Sequence, residues 1–333
     1  MPKVSTVIPT YNMATYLREC LASILDQSFT DREVIVIDDG STDDTPAVME
    51  QFRGKVLYRR QENRGVAEAL NAGIQLAKGE YVSLVAADDA LYPNAMQTQV
   101  ALLDRFPTAA MVHGAARFVD AAGRTIREAG VSKAGNAFRQ KPRAAVRSLL
   151  RGNAVVCSSV MIRRSCLQQV GGFRPEFVPG EDWAMWLCLA ARNDIICIRS
   201  PLVRCRRHND SLTAKFTVSS LAASHGRILD FLFTQDGLTG FHDLQPYAYA
   251  ANYRTLARLA TRLSQRSLFL KNFARAVRRQ PRLLLEKETY ETIYFGARLF
   301  VPDPFVAPGR EIKSLMRRPL PGDAVRRTSS GRG

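Results

Sequence analysis

Asp88 and Asp89 close the segment Tyr81-Val82-Ser83-Leu84-Val85-Ala86-Ala87-Asp88-Asp89-Ala90-Leu91-Tyr92-Pro93, a short apolar run that stops in two adjacent carboxylates. Packing gives no reason for that ending, because an ionised Asp is almost never fully buried unless a partner or a metal compensates it. Hard oxygen donors of this kind suit Mg2+ or Mn2+. In open α/β sheets the crevice beyond the carboxyl ends of the strands is where ligands sit. The competing structural reading is a strand-to-helix turn in which Asp89 caps the next helix.

The elements that must position this pair alternate. Val4-Ser5-Thr6-Val7-Ile8-Pro9 reads as a β-branched strand, and Asn12 as the cap of a helix running to about Gln27, with Tyr16, Leu17, Cys20, Leu21, Ile24 and Leu25 at helical spacing. Glu33 to Asp38 is apolar on both faces, as a parallel strand is, and also ends in paired Asp followed by Gly40-Ser41-Thr42. Pro46 starts a helix, Lys55 to Tyr58 is a short strand, and Asn63-Arg64-Gly65 turns into a helix from Val66 to Lys78 that Gly79 closes. The βαβαβαβ order predicts a mostly parallel sheet covered by helices. Three strand ends then carry polar groups on one rim: Thr10-Tyr11-Asn12, Asp38-Asp39 and Asp88-Asp89. Neither GxGxxG nor GxxxxGK[ST] is present, which removes the dinucleotide fingerprint and the P-loop.

Pro9-Thr10-Tyr11-Asn12, Val36-Ile37-Asp38-Asp39-Gly40-Ser41-Thr42-Asp43, Asn63-Arg64-Gly65-Val66-Ala67 through Gly73, and Ala87-Asp88-Asp89 through Pro93 together resemble glycosyltransferase family 2, over roughly residues 3 to 215. The resemblance implies a GT-A fold, an α/β Rossmann-like and mostly parallel sheet flanked by helices, with a helical C-terminal extension. It implies a nucleoside diphosphate sugar as donor, of UDP or dTDP type by preference. Pro9, Thr10, Tyr11 and Asp39 then line the nucleobase and ribose pocket, where a carboxylate accepts an imide N–H and Tyr11 offers a stacking face. For Tyr11 alone a helix-entry staple is the alternative. Asn63 and Arg64 approach the nucleotide; a solvated turn is the alternative for Arg64. Asp88 matches the metal-binding Asp and Asp89 a substrate-facing one. The family's first acid is replaced by Ala86. A diphosphate and carboxylates repel unless a cation bridges them, so Mg2+ or Mn2+ is expected.

Further on, Val155 to Ile162 reads as a strand, Arg163 to Val170 as a short helix, and Gly180-Glu181-Asp182-Trp183-Ala184-Met185-Trp186 as the start of another. Acids in a first turn complement the helix dipole. In the family's Glu-Asp block, which this stretch resembles, the Asp is the general base, and that role falls to Asp182. Inversion at an anomeric carbon needs one carboxylate to take the acceptor proton and no carboxylate nucleophile. Glu181 and Trp183 would then face the substrate, with core packing the alternative for Trp183. After a strand from Ile195 to Ile198 and a Ser-Pro turn, Arg204-Cys205-Arg206-Arg207-His208 resembles the family's Arg-x-His block. That places His208 on the metal or a phosphate and Arg206 on the diphosphate.

The expected organisation is a GT-A domain over 1–217, with a nucleotide-sugar half (1–110) and an acceptor and base half (111–217). A basic helical extension (218–307) and a disordered tail (308–333) follow. Residues 120–150 are expected in the acceptor cleft. Hydrophobic residues make up 46% of the chain, enough for a core of this size. Six cysteines show no Cys-x-x-Cys spacing and read as buried thiols in a reducing cytoplasm. No charged-then-apolar leader precedes the first strand, and no uninterrupted apolar run reaches the ~18 residues of a membrane span. The net charge of +16 falls largely after residue 218. Arg254, Arg258 and Arg262 recur every fourth residue, so one helical face is expected to be basic. Phe269, Phe273, Phe295 and Phe300 are apolar anchors if that region meets anionic lipid at the inner face of the cell membrane. The alternative is a solvated face, and no nucleic-acid recognition module is visible. Without a QxxRW block the family comparison favours single addition to a glycan or lipid-linked acceptor, in surface polysaccharide, O-antigen or glycolipid assembly. The rivals are a silent nucleotide-sugar-binding scaffold and a membrane-associated adaptor.

Overall fold

The computed structural model describes residues 1–129, 137–234 and 238–300. Four strands, β1 (Val4–Thr10), β2 (Arg32–Asp38), β3 (Leu57–Arg60) and β4 (Tyr81–Leu84), lie parallel in the order β3-β2-β1-β4. Helices α1 (Ala14–Leu25), α2 (Thr45–Glu50) and α3 (Val66–Leu76) connect them. Val34, Ile35, Val36 and Ile37 are all buried, which explains the unbroken apolar reading of β2: helices cover both faces.

From β4 onward the sheet is mixed. β5 (Ala90–Leu91), α4 (Ala95–Arg105), β6 (Ala109–Val119), β7 (Thr125–Ala129), β8 (Ala137–Gln140) and α5 (Pro142–Leu150) follow, then β9 (Met161–Arg163), α6 (Arg164–Val170), α7 (Glu181–Arg192) and β10 (Asp194–Arg206). The order continues β4-β9-β6-β10-β5, with β9 antiparallel to both neighbours, β6 parallel to β10, and β7 and β8 on side branches. β10 is the long strand that reaches the acidic pair. Ser200-Pro201 does not turn the chain, as the sequence suggests. It sits in register shifts against β6, and the strand continues to Arg206 because the bulge absorbs the missing proline N–H.

Other local expectations change as well. Asn12 is not the cap of α1. It adopts a left-handed φ of 54°, and its Oδ1 accepts the N–H of Thr42 at 2.7 Å. Asp43, from the far side of the rim, accepts the N–H of Ala14 instead. Gly79 does not close α3; its N–H donates to the Ser5 hydroxyl, and a Cβ there would meet the Ser5 nitrogen at 2.6 Å. Of the expected 155–162 strand only Met161 and Ile162 join the sheet, as part of β9, because Cys157–Ser159 forms one helical turn.

The described residues form two compact units, the first Met1–Ala248 and the second beginning at Tyr249. The first runs past residue 217 because α8 (Val218–Thr234) buries Ile228, Leu229, Leu232 and Phe233 and donates the Ser224 hydroxyl to the Phe177 carbonyl. The remaining helices are α9 (Gln245–Arg262), α10 (Arg266–Arg279) and α11 (Lys287–Ala297), with α9 and α10 divided at Ser264, where φ is 55°. Arg254 is buried and pairs with Glu286 at 2.5 Å, and Arg258 pairs with Glu291 at 3.3 Å. The Arg254 and Arg258 positions therefore hold α11 rather than line an open basic face. Phe269 is likewise interior, packed against Gly296. The tail expected over 308–333 lies outside the described residues, as do residues 130–136 of the expected acceptor cleft.

Gly73 of α3 faces β1, and a Cβ there would stand 2.3 Å from Val7 Cγ1. Gly73→Ala is expected to lower the urea-unfolding free energy by about 1–3 kcal/mol through overpacking. Gly226→Ala in α8, where a Cβ meets nothing within 4 Å, is the control, expected neutral or slightly stabilising.

Candidate active site

The rim at the carboxyl ends of β1 and β2 is held together by polar contacts rather than packing. The Asp39 N–H donates to the Thr10 carbonyl at 2.8 Å, joining the two strand ends. The Asp39 carboxylate, itself buried, accepts the N–H of Arg64 at 2.9 Å, of Gly65 at 2.7 Å and of the Gln61 side-chain amide at 2.8 Å. It therefore fixes the Asn63-Arg64-Gly65 turn against the strand ends. Gly65 permits this turn through its φ of 89°. Asp38 is fully buried, accepting from Ser41 N–H at 2.8 Å and Tyr58 hydroxyl at 2.7 Å. Tyr11 is 43% exposed, Asn63 and Arg64 are exposed and Pro9 is half-buried, so the rim presents an open ring face, an amide and a guanidinium. Thr10 is buried, and its hydroxyl contributes nothing to the open rim.

The acidic pair after β4 meets the end of β10 on one side and Ser158 on the other. The Arg206 N–H donates to Asp89 Oδ1 at 2.8 Å, and the Arg206 guanidinium donates to the carbonyls of Asp88, Asp120 and Ala121 and to Glu19 Oε2 at 2.5 Å. The guanidinium also lies 4.9 Å from the Tyr16 ring centre. Arg206 is 5% exposed. The expectation that it faces a diphosphate is corrected: its donors are used inside the protein, where it locks the Asp88–Asp89 turn to β10. Asp89 is buried, and burial together with Asp88 pushes its carboxyl up to about 7, against the opposing hydrogen bonds from Ser158 and the Arg206 N–H. It is a structural acid rather than a substrate-facing one.

Asp88 is the accessible member. Its Oδ2 lies 3.0 Å from His208 Nε2, and the His208 ring packs 4.7 Å from the Tyr16 ring. His208 is buried except for this approach, and its Nδ1 lacks a hydrogen-bond partner, with Asp210 Oδ2 4.0 Å away. A carboxylate oxygen and an imidazole nitrogen in contact at a strand-end rim form a donor set that fits a divalent cation whose other ligands come from substrate oxygens, and the imidazole favours Mn2+ over Mg2+. Among the described residues no three His, Cys, Asp or Glu side chains form a complete protein cage.

Asp182 opens α7. Its carboxylate accepts the Asn153 amide at 2.9 Å and the Trp183 N–H at 2.6 Å, and burial raises its pKa above the ordinary carboxylate value. A single short turn links it to the acidic pair. Burial drives the Cys157 thiol well up, and the charges of Asp182, Glu181 and Asp89 add to that push. The next residue, Ser158, accepts the Ala86 N–H at 2.9 Å and bonds to Asp89.

Two further expectations are corrected. Trp183 is 2% exposed, donates Nε1–H to the Leu149 carbonyl at 2.9 Å and packs on His225, so it is core rather than a sugar platform. Glu181 is buried, accepts the Gly180 N–H at 3.0 Å and lines a separate narrow cavity with Gly172, Phe177, Met185 and Phe231. The sequence reading missed Glu19, Tyr16, Asn153 and Ser158. No local pattern marks them; they matter because of what the fold brings beside them.

Residues 5–171 match the family described as Glycosyl transferase family 2. An uncharacterized glycosyltransferase of Rickettsia felis is 31% identical over 219 residues, 65% of this chain and 36% of its own length. Glycosyltransferase GlyG of Streptococcus pneumoniae serotype 4 is 41% identical over 99 residues, 28% of this chain and 33% of its own length. The chain thus spans about a third of the curated relatives it matches. Among solved structures, residues 1–349 of S. aureus TarS in complex with UDP superpose with a TM-score of 0.53 at 20% identity, over 84% of this chain and 92% of that one, which places the first unit in the same GT-A class of fold.

Burial and then Asp182 push the Glu181 carboxyl up to about 7. An acid raised in the folded state contributes its full stability below its unfolded pKa and loses it as pH rises through the folded value. Glu181→Gln is therefore expected to gain unfolding free energy relative to the unmodified chain between pH 5 and pH 8, read by urea titration at each pH. A difference that does not change with pH would contradict the assignment.

Proposed function

The chain belongs to glycosyl transferase family 2, and on that premise we propose that it is an inverting, metal-dependent glycosyltransferase that moves one sugar from a nucleoside diphosphate sugar to an acceptor hydroxyl. The observation that carries this reading is that one segment, residues 153–159, reaches both groups: Asn153 donates to Asp182, and Ser158 accepts the Ala86 N–H just before the Asp88 that meets His208.

Tyr11 stacks on the base, and Pro9 and Asp39 border the nucleoside, with the buried Thr10 holding Asp39 from behind through its carbonyl. Asn63 and Arg64, on the turn that Asp39 fixes, reach the ribose and phosphates. Asp88 and His208 would hold the divalent cation, which supplies positive charge where the leaving diphosphate develops its negative charge. Asp182 takes the acceptor proton. Its raised pKa makes it a stronger base than an exposed carboxylate, and the Asn153 amide fixes one of its oxygens. The donor is proposed to be of UDP or dTDP type, in line with the UDP held by the TarS structure. The acceptor is proposed to be a glycan or lipid-linked glycan of surface polysaccharide, O-antigen or glycolipid assembly; a chondroitin synthase of Escherichia coli, 34% identical over 129 residues, is among the relatives. Ala86 keeps the silent-scaffold alternative distinct: such a protein would bind nucleotide without turnover.

Asp182→Asn is expected to lower kcat about 10²- to 10⁴-fold while nucleoside diphosphate binding persists. Asp88→Asn is expected to lose metal-dependent nucleotide binding. Release of nucleoside diphosphate from a panel of UDP-, dTDP- and GDP-sugars, with Mn2+ and an acceptor extract, reads both. Equal turnover by Asp182→Asn would reject the base assignment.

A second reading concerns the second unit. Residues 249–300 carry eleven Lys and Arg against Glu286, Glu288 and Glu291, and two of those acids are used by Arg254 and Arg258. Its surface also exposes Leu270, Leu284, Leu285, Tyr290, Ile293, Phe295 and Phe300. We propose that this unit rests on anionic lipid at the cytoplasmic face of a membrane, near a lipid-linked acceptor. No helix of the described residues is long and apolar enough to cross one. Each basic residue at such a surface is worth about 1 kcal/mol, so Arg278→Glu with Arg279→Glu is expected to weaken sedimentation with phosphatidylserine vesicles at least tenfold. Equal binding to neutral phosphatidylcholine vesicles would refute it.

A further inference from the structure

His208 meets Asp88 through Nε2, which leaves its other ring nitrogen to be accounted for. Nδ1 is buried without a hydrogen-bond partner, on a side chain that is only 4% exposed. A buried polar atom left unpaired is costly, so each one calls for a reason. The charged group that faces it is Asp210, whose Oδ2 lies 4.0 Å from Nδ1, just beyond hydrogen-bond range.

The backbone explains why Asp210 stands there. The Ser211 N–H donates to the His208 carbonyl at 3.2 Å, and the His208 N–H donates to the Ser211 hydroxyl at 3.3 Å. These two bonds close a four-residue turn from His208 to Ser211, with the buried Ser211 as its anchor and Asp210 at its tip. The Asp210 side chain is 89% exposed, and among the described residues its carboxylate has no hydrogen bond and no other ion pair. Nothing therefore opposes the movement of about 1 Å that turns this approach into a hydrogen bond.

A ring nitrogen that ligates a cation must offer its lone pair. In a neutral imidazole that puts the proton on the other nitrogen, and the Nδ1–H then needs an acceptor. We propose, on the reading that His208 Nε2 ligates the divalent cation, that Asp210 is the positioning residue for that ligand. Its carboxylate accepts the His208 Nδ1–H, fixes the tautomer that leaves Nε2 free, and holds the ring in place beside Tyr16. A carboxylate in this position also raises the basicity of the ligating imidazole. The turn after β10 is then part of the metal centre rather than a connector.

The test is isothermal titration of the full chain with UDP, dTDP and GDP, each in Mn2+ and in EDTA, which gives the gain in affinity that Mn2+ brings. Asp210→Ala is expected to cut that gain about tenfold or more. Its affinity in EDTA and its urea-unfolding midpoint are expected to stay unchanged, because the side chain has no other contact. Asp210→Asn removes the charge but keeps an oxygen acceptor, and is expected to stay within about threefold of the unmodified chain. An Asp210→Ala chain that keeps the full gain overturns the proposal. So does an Asp210→Asn chain that falls as far as Asp210→Ala, since Asp210 would then act only as a nearby negative charge. Folded His208→Ala separates this proposal from the reading beneath it. If it lowers the gain while Asp210→Ala does not, His208 is a ligand and only the role of Asp210 fails. If it keeps the full gain, or if Mn2+ brings no gain with any of the three nucleotides, the metal reading fails and this proposal with it.

Discussion

Two adjacent carboxylates at the end of a buried strand must be compensated, and in this chain one strand end does it together with Ser158. Asp89 lies inside the protein with its carboxyl pushed up to about 7 by burial and by Asp88. The Arg206 N–H and Ser158 answer that cost with directed hydrogen bonds, while the Arg206 guanidinium ties the Asp88 carbonyl to the end of β10. Because Asp89 absorbs the structural duty, Asp88 is free to meet His208 at the rim. β10 therefore has to be long, and the bulge at Ser200-Pro201 lets it pass the edge of β6 and still deliver Arg206 and His208. Glu19, reaching from α1 to both Arg204 and Arg206, ties the first helix to the same point.

The turn at Cys157–Ser159 carries this constraint across to α7. Ser158 binds the backbone before the acidic pair, while Asn153, at the start of the same segment, donates to Asp182. Burial, helped by nearby negative charge, drives the Cys157 thiol up and keeps it neutral. Within α7 the two acids divide: Glu181 is buried beside a narrow cavity, and Asp182, less buried, keeps one oxygen on Asn153. The pairing of a buried acid with an available one thus occurs twice, as Asp89 with Asp88 and as Glu181 with Asp182.

The parallel half of the fold was legible because both-face burial writes itself as unbroken apolar runs, as in Val34 to Ile37. The strand-end carboxylates were legible because nothing else explains charge at the end of such a run. What the sequence did not disclose was which charges are turned inward. Arg206 and Trp183 stand beside functional-looking residues in sequence and are buried by partners far away in it, Glu19 and Leu149. Arg254 and Arg258 show helical spacing that fits an open basic face, but their partners on α11 lie about thirty residues on. Ser158 and Asn153 carry no signal of their own type; tertiary proximity alone gives them a role.

The central claim is that Asp88 and His208 jointly hold a cation where a diphosphate leaves. Pulsed electron paramagnetic resonance of Mn2+ bound to the full chain with a nucleoside diphosphate tests it most directly. The account predicts nitrogen modulation from a coordinated imidazole, lost in His208→Ala, and loss of bound Mn2+ in Asp88→Asn. Bound Mn2+ that shows no imidazole nitrogen and is indifferent to both substitutions would contradict it.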